Sequence, residues 1–550
     1  MILSHRMFKR RKDQDSAQLH KRLRTRDAGS VDRLSRLSNE LLLHIFSFLP
    51  VSSLNVCQRL SHRFHALGGD SELWKRQYYS EWVRPRARRL ANVRHTTLPA
   101  KTDYSPKVAT WFDHGHLAQE AKTNWKRQYR LRHNWSRGLC RFTEVEFPQP
   151  PCPPTLVRFC AGVVFSADPS YGLRAWPARD PASCMARVPL TAHPNEPPVA
   201  PTALAVSQVQ DEIEISVGLG NGHFSLFVLN IRTSDLSFQS SHLGCIDGAI
   251  TAMALSSPYL LVVSQHKDLT LYNLRHGSQR AGKTGEIQDP RQLASLRAEN
   301  IVAPMTLSLR VSTFDIVATI VYSFFHIGCG WSLGIQELRL GKDGQQLDSR
   351  LATTVDSQYG LRPPQGLPQS QKRRHSATRA VNSQGLTTGT PTILHQRPPT
   401  SMSYSHPYLL TSHADNTLTM YLVVSTSDNL FVQGGRRLWG HTSSVSAVQV
   451  TNRGKAVSVS ARGDEIRIWE LEMAISTLGS RKYFKEENGV KLSPEIKQDE
   501  GSEVAPVHHS LDRVDHAQGL LQGCVGFDEE RVLLLREKTG TQLLGCYDFT

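Results

Sequence analysis

Residues 438–470 read LWGHTSSVSAVQVTNRGKAVSVSARGDEIRIWE. Three runs rich in β-branched residues lie inside this stretch: Val445–Val450, Ala456–Ser460 and Ile466–Glu470. Asn452-Arg453-Gly454 and Arg462-Gly463-Asp464 separate them, and both are turn-forming sequences, so the spacing predicts three antiparallel strands joined by short turns. Working outward, similar runs recur from Arg141 onward, among them Leu156–Phe165, Ile213–Val217, Phe224–Leu229, Ile250–Leu255, Tyr259–Val263, Leu269–Leu274, Met305–Val311, Leu418–Val424 and Val532–Leu535. Amphipathic helical patterns are scarce there. Residues 141–550 therefore read as an all-β body.

Two segments break that rhythm. Residues 341–400 are rich in Gln, Ser, Thr, Pro and Gly, and residues 475–515 are polar and charged, so both are expected as disordered surface insertions. Setting them aside leaves 309 residues of β body, about 44 for each of seven units, which suits a four-stranded propeller blade. The stretch at 438–470 resembles a WD repeat. That resemblance implies that His441, Ser460 and Trp469 form a buried hydrogen-bonded set between the strands. It departs at the acid, because Arg462 stands where an Asp is usual and Asp464 comes two positions late. Gly172–Trp176, Ala249–Leu274 and the strands from Val525 to Tyr547 read as further, fainter units. Arg141–Phe147 is a lone strand ahead of the first unit, and it is expected to pair with the last strands and close the ring, removing exposed sheet edges.

Upstream the character changes to helix. Residues 34–64 read LSRLSNELLLHIFSFLPVSSLNVCQRLSHRF. Ser38 is placed to N-cap a helix with Glu40 in its positive first turn, Leu37 to staple onto Leu42, and Leu41, Leu42, Ile45, Phe46 and Leu49 to share one face. Pro50 stops that helix, Ser52 or Ser53 is expected to cap a second one bearing Leu54, Cys57 and Leu60, and Phe64 opens a third. About 30 residues cannot bury so much apolar surface among themselves. The stretch resembles an F-box, although the usual Leu-Pro at its start is Leu37-Ser38 here. The resemblance implies docking to the Skp-family linker, and through it a cullin, by Leu37, Leu41, Leu42, Ile45, Phe46, Leu49, Leu54, Cys57, Leu60 and Phe64.

Asp70–Tyr78 looks like the helix that follows an F-box, and Asn124–Gly138 like the linker of F-box proteins that carry WD propellers. Trp74, Tyr78, Trp125, Tyr129 and Trp135 have helical spacing and read as core, rather than as an RNA-stacking set. The organisation expected is a basic disordered tail at 1–32, an F-box at 33–80, a helical linker at 81–140 and a WD-repeat propeller of about seven blades at 141–550. The function this implies is the substrate-recognition subunit of an SCF-type ubiquitin ligase, non-catalytic, with an unread protein substrate. The alternative is a WD-repeat scaffold whose helices serve only its own core.

Composition narrows the rest. The formal net charge of +16 lies in the first quarter: residues 1–26 carry +7 and residues 75–137 carry +11, while the last 413 residues total −1. A body that grips nucleic acid would show a basic excess, so nucleic acid is not the expected partner. The clusters Lys9–Lys12 and Lys21–Arg26 are short basic runs that serve either as a bipartite nuclear-import signal or as a solvated tail, giving a nuclear or cytoplasmic expectation. Ile316–Phe325, the most apolar stretch, is about half a membrane span, so no membrane segment is expected. The nine cysteines include no C-x-x-C pair, and no metal or cofactor is expected. Gly277–Thr284 spells G-x-x-x-x-G-K-T, but Gly285 to Pro290 cannot sustain the helix that a phosphate-binding loop needs, which sets aside a nucleotide hydrolase built on Lys283. Arg373–Ser376 matches a basophilic kinase site, and Asp113–His116 lacks further ligands at metal spacing.

Overall fold

The computed structural model describes residues 34, 36–84, 123–147, 156–180, 183–190, 199–244, 248–274, 290–297, 301–312, 314–360, 390–426, 429–471, 489–495, 524–538 and 541–550. The basic tail, the G-x-x-x-x-G-K-T match, the Asp113–His116 group and the Arg373–Ser376 motif lie outside these residues. The chain divides into two compact units, residues 1–77 and 78–550.

In the first unit, helix α1 (Asn39–Phe46) starts where expected, with the Leu41 N–H donating to Ser38 Oγ at 3.4 Å. The backbone N–H in the first turn, and after it that hydroxyl, hold the Glu40 carboxyl below its usual range. Helix α2 (Val51–Cys57) begins earlier than expected: Pro50 itself occupies the N-cap, and neither Ser52 nor Ser53 caps it. Proline suits that site because it has no N–H to leave unsatisfied and its φ is already fixed. Ser61 caps α3 (His62–Gly68) through the Phe64 N–H at 3.1 Å, and Asp70 receives the N–H groups that open α4 (Ser71–Tyr78). The unit is pinned by long-range polar contacts. Arg63 donates to the Leu37 carbonyl and to Asn39 Oδ1, Gln77 donates to the Leu49 carbonyl, and Trp74 Nε1 donates to the Gly68 carbonyl.

The second unit opens with a π-turn, Tyr79–Val83, and helix α5 (Trp125–Arg137), whose C-cap Gly138 takes the left-handed φ of 69° that glycine tolerates. Among the described residues seven antiparallel-built sheets follow, six of four strands and one of five. Seven apolar clusters are each drawn from two successive sheets. One of them joins Val157, Val164 and Trp176 of the first blade to Leu533, Leu535 and Leu544 of the last, so the ring of blades closes. Closure is made as anticipated. Leu139–Phe147 forms the outer strand of the seventh blade, pairing antiparallel with Thr541–Asp548 from Arg141↔Asp548 to Phe147↔Gln542. Every blade then has a neighbour on both faces, and the apolar strands need no other cover.

Three sequence expectations change. Leu156–Phe165 is not one strand but a hairpin, Leu156–Cys160 and Val163–Asp168, turning at Ala161 and Gly162 with both φ positive. Ala161 gives no sequence hint of that turn, since alanine seldom takes φ of 50°. The expected insertions are also shorter than 341–400 and 475–515. Gln346–Thr353 is the outer strand of the fourth blade, followed by the short helix Val355–Gln358. Gly489–Lys491 is the outer strand of the sixth blade, and Ser493–Glu495 adds a parallel fifth strand to the seventh. Outer strands have one sheet edge unpaired and much polar exposure, so their apolar signal is weak.

Candidate functional site

The ten residues expected to dock a partner divide into two sets. Phe46, Leu54 and Leu73 form the core of the helical unit, with Leu43, Leu49, Cys57, Phe64 and Leu67 packed against it, and Leu42 is buried as well. Phe46 and Phe64 meet edge to face at 5.4 Å. Leu41, Ile45 and Leu60 instead face solvent, and Leu37 lies between these extremes with its carbonyl held by Arg63. The single apolar face expected for α1 is thus two faces. Leu42 and Phe46, four apart, point inward, while Leu41 and Ile45, also four apart, point outward. A helix with apolar residues on both flanks serves two surfaces.

The outward surface is larger than the sequence reading allowed. Phe48 (68% exposed) extends the row of Leu41 (53%) and Ile45 by three positions, and Leu34, Val56 and Leu60 are exposed in the same module. The signal for Phe48 was present in the spacing 41, 45, 48, which continues one helical stripe past the end of α1. Arg76 lies over the Phe48 ring at 5.6 Å and donates to Ser47 Oγ at 3.0 Å, which orders the ring while leaving it open. Six large apolar side chains uncovered within one small module exceed what scattered surface hydrophobics explain.

The propeller's polar set at 438–470 has a different membership from the one expected. His441 Nε2 lies 2.6 Å from Ser458 Oγ, and Trp469 Nε1 donates to the same oxygen at 2.7 Å, so Ser458 and not Ser460 is the shared hydroxyl. His441 Nδ1 faces the Glu465 carboxylate, with Oε2 3.5 Å away, and a proton on Nδ1 leaves Nε2 to accept from the Ser458 hydroxyl. Glu465 fills the place of the acid. It accepts from the Thr442 N–H at 2.9 Å, the Thr442 hydroxyl at 2.8 Å and Arg467 at 2.7 Å. Burial alone would raise its carboxyl, but the Thr442 N–H, Arg467 and the Thr442 hydroxyl bring it to about 2. Burial brings His441 down to about 4, so it stays neutral. Ser460 closes the next turn, donating to Asp464 Oδ1 at 2.6 Å.

Parts of this set recur. In the first blade Trp176 Nε1 donates to Ser166 Oγ at 3.2 Å, the same indole-to-hydroxyl bond. In the fifth, His395 and His413 stack with ring centroids 3.9 Å apart, reaching Thr419 and Thr411 respectively. Burial, reinforced in His395 by its neighbour, takes their pKa values to about 3 and about 4. The aromatic residues before the ring pack as core: Trp125, Tyr129 and Trp135 are buried, Tyr78 lies 5.6 Å from Trp125, and Trp135 stacks on Phe549 at 3.9 Å with Nε1 donating to the Glu529 carbonyl. In the first unit Trp74 is buried too. Among the described residues no group of three or more His, Cys, Asp or Glu could hold a metal ion, and these polar sets tie strands together.

Comparison with known proteins follows the same division. A family profile described as F-box-like matches residues 34–80, and one described as the F-box protein pof12 beta-propeller matches residues 140–550. The chain is 22% identical over 474 residues to F-box protein pof12 of Schizosaccharomyces pombe, covering 81% of this chain and 86% of that one. It is 47% identical over 47 residues to F-box protein dre-1 of Caenorhabditis elegans, which is 8% of this chain and 5% of that one. Among solved structures, that of U3-55K aligns with a TM-score of 0.40 at 9% identity, covering 74% of this chain and 98% of that one. The propeller assignment rests on the strand topology itself.

Proposed function

The chain belongs to the family of F-box proteins with a pof12-type β-propeller, and from that premise we propose that it is the substrate-recognition subunit of an SCF-type ubiquitin ligase. The F-box docks on the Skp-family linker, and through it a cullin, while the propeller holds the protein to be modified. No chemistry is required of this chain. It acts by raising the local concentration of a bound protein near the enzyme that carries ubiquitin.

One observation carries the reading: Leu41, Ile45 and Phe48 form an ordered apolar row on α1 and just beyond it that the first unit does not cover with its own side chains. Association with a partner helix or loop would bury it, at roughly 1.5–3 kcal/mol for each large side chain removed from water. The inward set Leu42, Phe46 and Leu54 holds the helices in the arrangement that presents this row.

The test is co-purification with a co-expressed Skp-family linker. Wild-type chain should carry the linker through affinity and size-exclusion steps, and Leu41→Asp combined with Ile45→Asp should lose it without loss of folding. Undiminished association in a folded double variant overturns the proposal. Deleting residues 33–66 separates it from the scaffold alternative, because an adaptor keeps a stable propeller whereas a scaffold that needs these helices for its core aggregates.

A further inference from the structure

Each blade ends in an outer strand, and among the described residues no further strand lies on its far edge except where Ser493–Glu495 covers part of Leu139–Phe147. Such edges recruit other strands unless something discourages them. Five of the remaining six carry a deterrent. Ala186–Val188 and Gly489–Lys491 are three residues long, and Arg291–Arg297 has an arginine at each end. Asp235–Leu243 exposes Asp235, Gln239 and Ser241, and Leu430–Leu438 contains Gly434-Gly435-Arg436-Arg437. The outer strand of the fourth blade, Gln346–Thr353, has none of these. It is eight residues long, and its Leu347 and Leu351 are 57% and 61% exposed.

Alternation gives this strand two faces. One turns toward the fifth blade: Arg350 donates to the Thr426 carbonyl there at 2.7 Å, and lies 3.4 Å from the buried Glu337 carboxylate and 3.2 Å from Asp348. The other carries Leu347, Ser349 and Leu351, all exposed. The backbone is sorted in the same way. The Thr354 N–H donates to the Leu333 carbonyl at 3.0 Å, and the register runs unbroken from Gly334↔Thr353 to Arg339↔Asp348. Alternation from that bond points the N–H and C=O of Ser349, Leu351 and Thr353 away from the sheet.

The sequence of this edge is its own complement. In an antiparallel pair of two copies centred on Ser349, Ser349 faces itself, Leu347 faces Leu351 and Asp348 faces Arg350. Leucines then cover leucines on one face. On the other, unlike charges meet at positions without backbone hydrogen bonds, where side chains approach most closely. A lone charge on that face would oppose pairing, but here each finds its opposite. The chain's own stretches adjoining blades three and four outside the described residues fit the edge less well. Residues 275–289 contain Ile287 as their one large apolar residue, and residues 361–389 are polar and broken by Pro363, Pro364 and Pro368. Neither supplies a strand with apolar side chains to lie beside both leucines.

We propose that Gln346–Thr353 is a dimerisation edge that pairs antiparallel with the same strand of a second copy of this chain, giving a two-fold assembly with two propellers. No F-box residue takes part, so the inference stands apart from the adaptor reading. Sedimentation velocity of the full chain over roughly 1–200 µM should show a reversible monomer–dimer equilibrium. Its dissociation constant should be roughly 1–100 µM, the weak range that suits a contact carried by one strand. Leu351→Lys should weaken it at least about tenfold with an unchanged thermal transition, because the side chain it replaces is exposed. Leu41→Asp with Ile45→Asp should leave it intact, which separates this edge from the F-box row. Ser349→Cys sets a thiol opposite its own copy at a Cα separation of about 5.5 Å, within disulfide reach. Mild oxidation should then yield a covalent dimer that neither wild type nor Ser295→Cys, on the outer strand of blade three, gives. A chain that stays monomeric over that range, a dimer indifferent to Leu351→Lys, or a Ser349→Cys variant that does not cross-link overturns the proposal.

Discussion

The two units treat apolar surface in opposite ways. In the propeller every interface between successive blades is filled, including the one between the last blade and the first, and Phe165, Phe224, Phe227 and Trp469 are all essentially inaccessible. In the F-box a small core of Phe46, Leu54 and Leu73 coexists with an uncovered row of Leu41, Ile45 and Phe48. Sheets arranged in a closed ring supply each other with cover, whereas three or four short helices have too little volume to enclose their apolar residues. The contrast teaches that burial and function separate cleanly here. The same residue type, leucine, is structural at 42 and 54 and available to a partner at 41 and 60.

The contrast can be broken most forcefully from the propeller side. Trp469→Ala removes a fully buried indole that also bonds Ser458, and it should lower unfolding free energy by about 3–5 kcal/mol, read by denaturant titration of the propeller signal. Leu41→Asp in the F-box should change unfolding by less than about 0.5 kcal/mol in the same measurement, as expected of a surface position. Comparable losses for the two would erase the distinction. Conversely, Leu41→Asp with Ile45→Asp should weaken linker association about 100-fold, close to 2.7 kcal/mol, by isothermal calorimetry, while Trp469→Ala leaves that affinity unchanged.

Acid sharpens the comparison further. His395, His413 and His441 are held neutral by burial, at about 3, about 4 and about 4, all in the propeller. In the unfolded chain they would take up protons below about 6.5. The unfolded state therefore binds more protons as pH falls from about 6.5 toward 4, and stability is lost over that window at about 1–2 kcal/mol per histidine by pH 5. Glu465 and Glu529, both lowered to about 2, add their loss only below about 4.5. The propeller transition should thus move with pH between 7 and 5, and His395→Gln with His413→Gln should flatten that dependence. A slope unchanged in the double variant would mean these imidazoles are not the groups responsible.

Much of this was legible in the sequence because the two strongest signals are local. Alternation within 438–470 and the 3–4 spacing of 37–64 are each written in about 30 residues, and with the recurring β-rich runs and the WD-repeat and F-box resemblances they pointed to the ring and the helical module, while 141–147 read separately as the closing strand. What the sequence hid depended on contacts between distant residues or on side-chain reach. Which leucines of α1 turn inward is set by α2 and α4, through Leu54 and Leu73.

The identity of the shared hydroxyl is the finest such case and gives the smallest effect. Ser458 and Ser460 lie two apart on one strand, hence on the same side of the sheet, and period-two reasoning cannot choose between them. Register chooses: Ser458 stands opposite Arg467 and within reach of both His441 and Trp469, while Ser460 is spent on the turn to Asp464 and Glu465. Ser458→Ala strands an imidazole nitrogen and an indole N–H in a site without water access, which should cost about 1–3 kcal/mol. Ser460→Ala releases Asp464, which is exposed enough to turn to water, but takes an acceptor from the buried Glu465 N–H, and should cost about 0.5–1.5 kcal/mol. The ordering of the two variants is the measurement. If Ser460→Ala proves the more damaging, the acid at 465 cannot be completing a set through Ser458, and the sequence-based choice of Ser460 is restored.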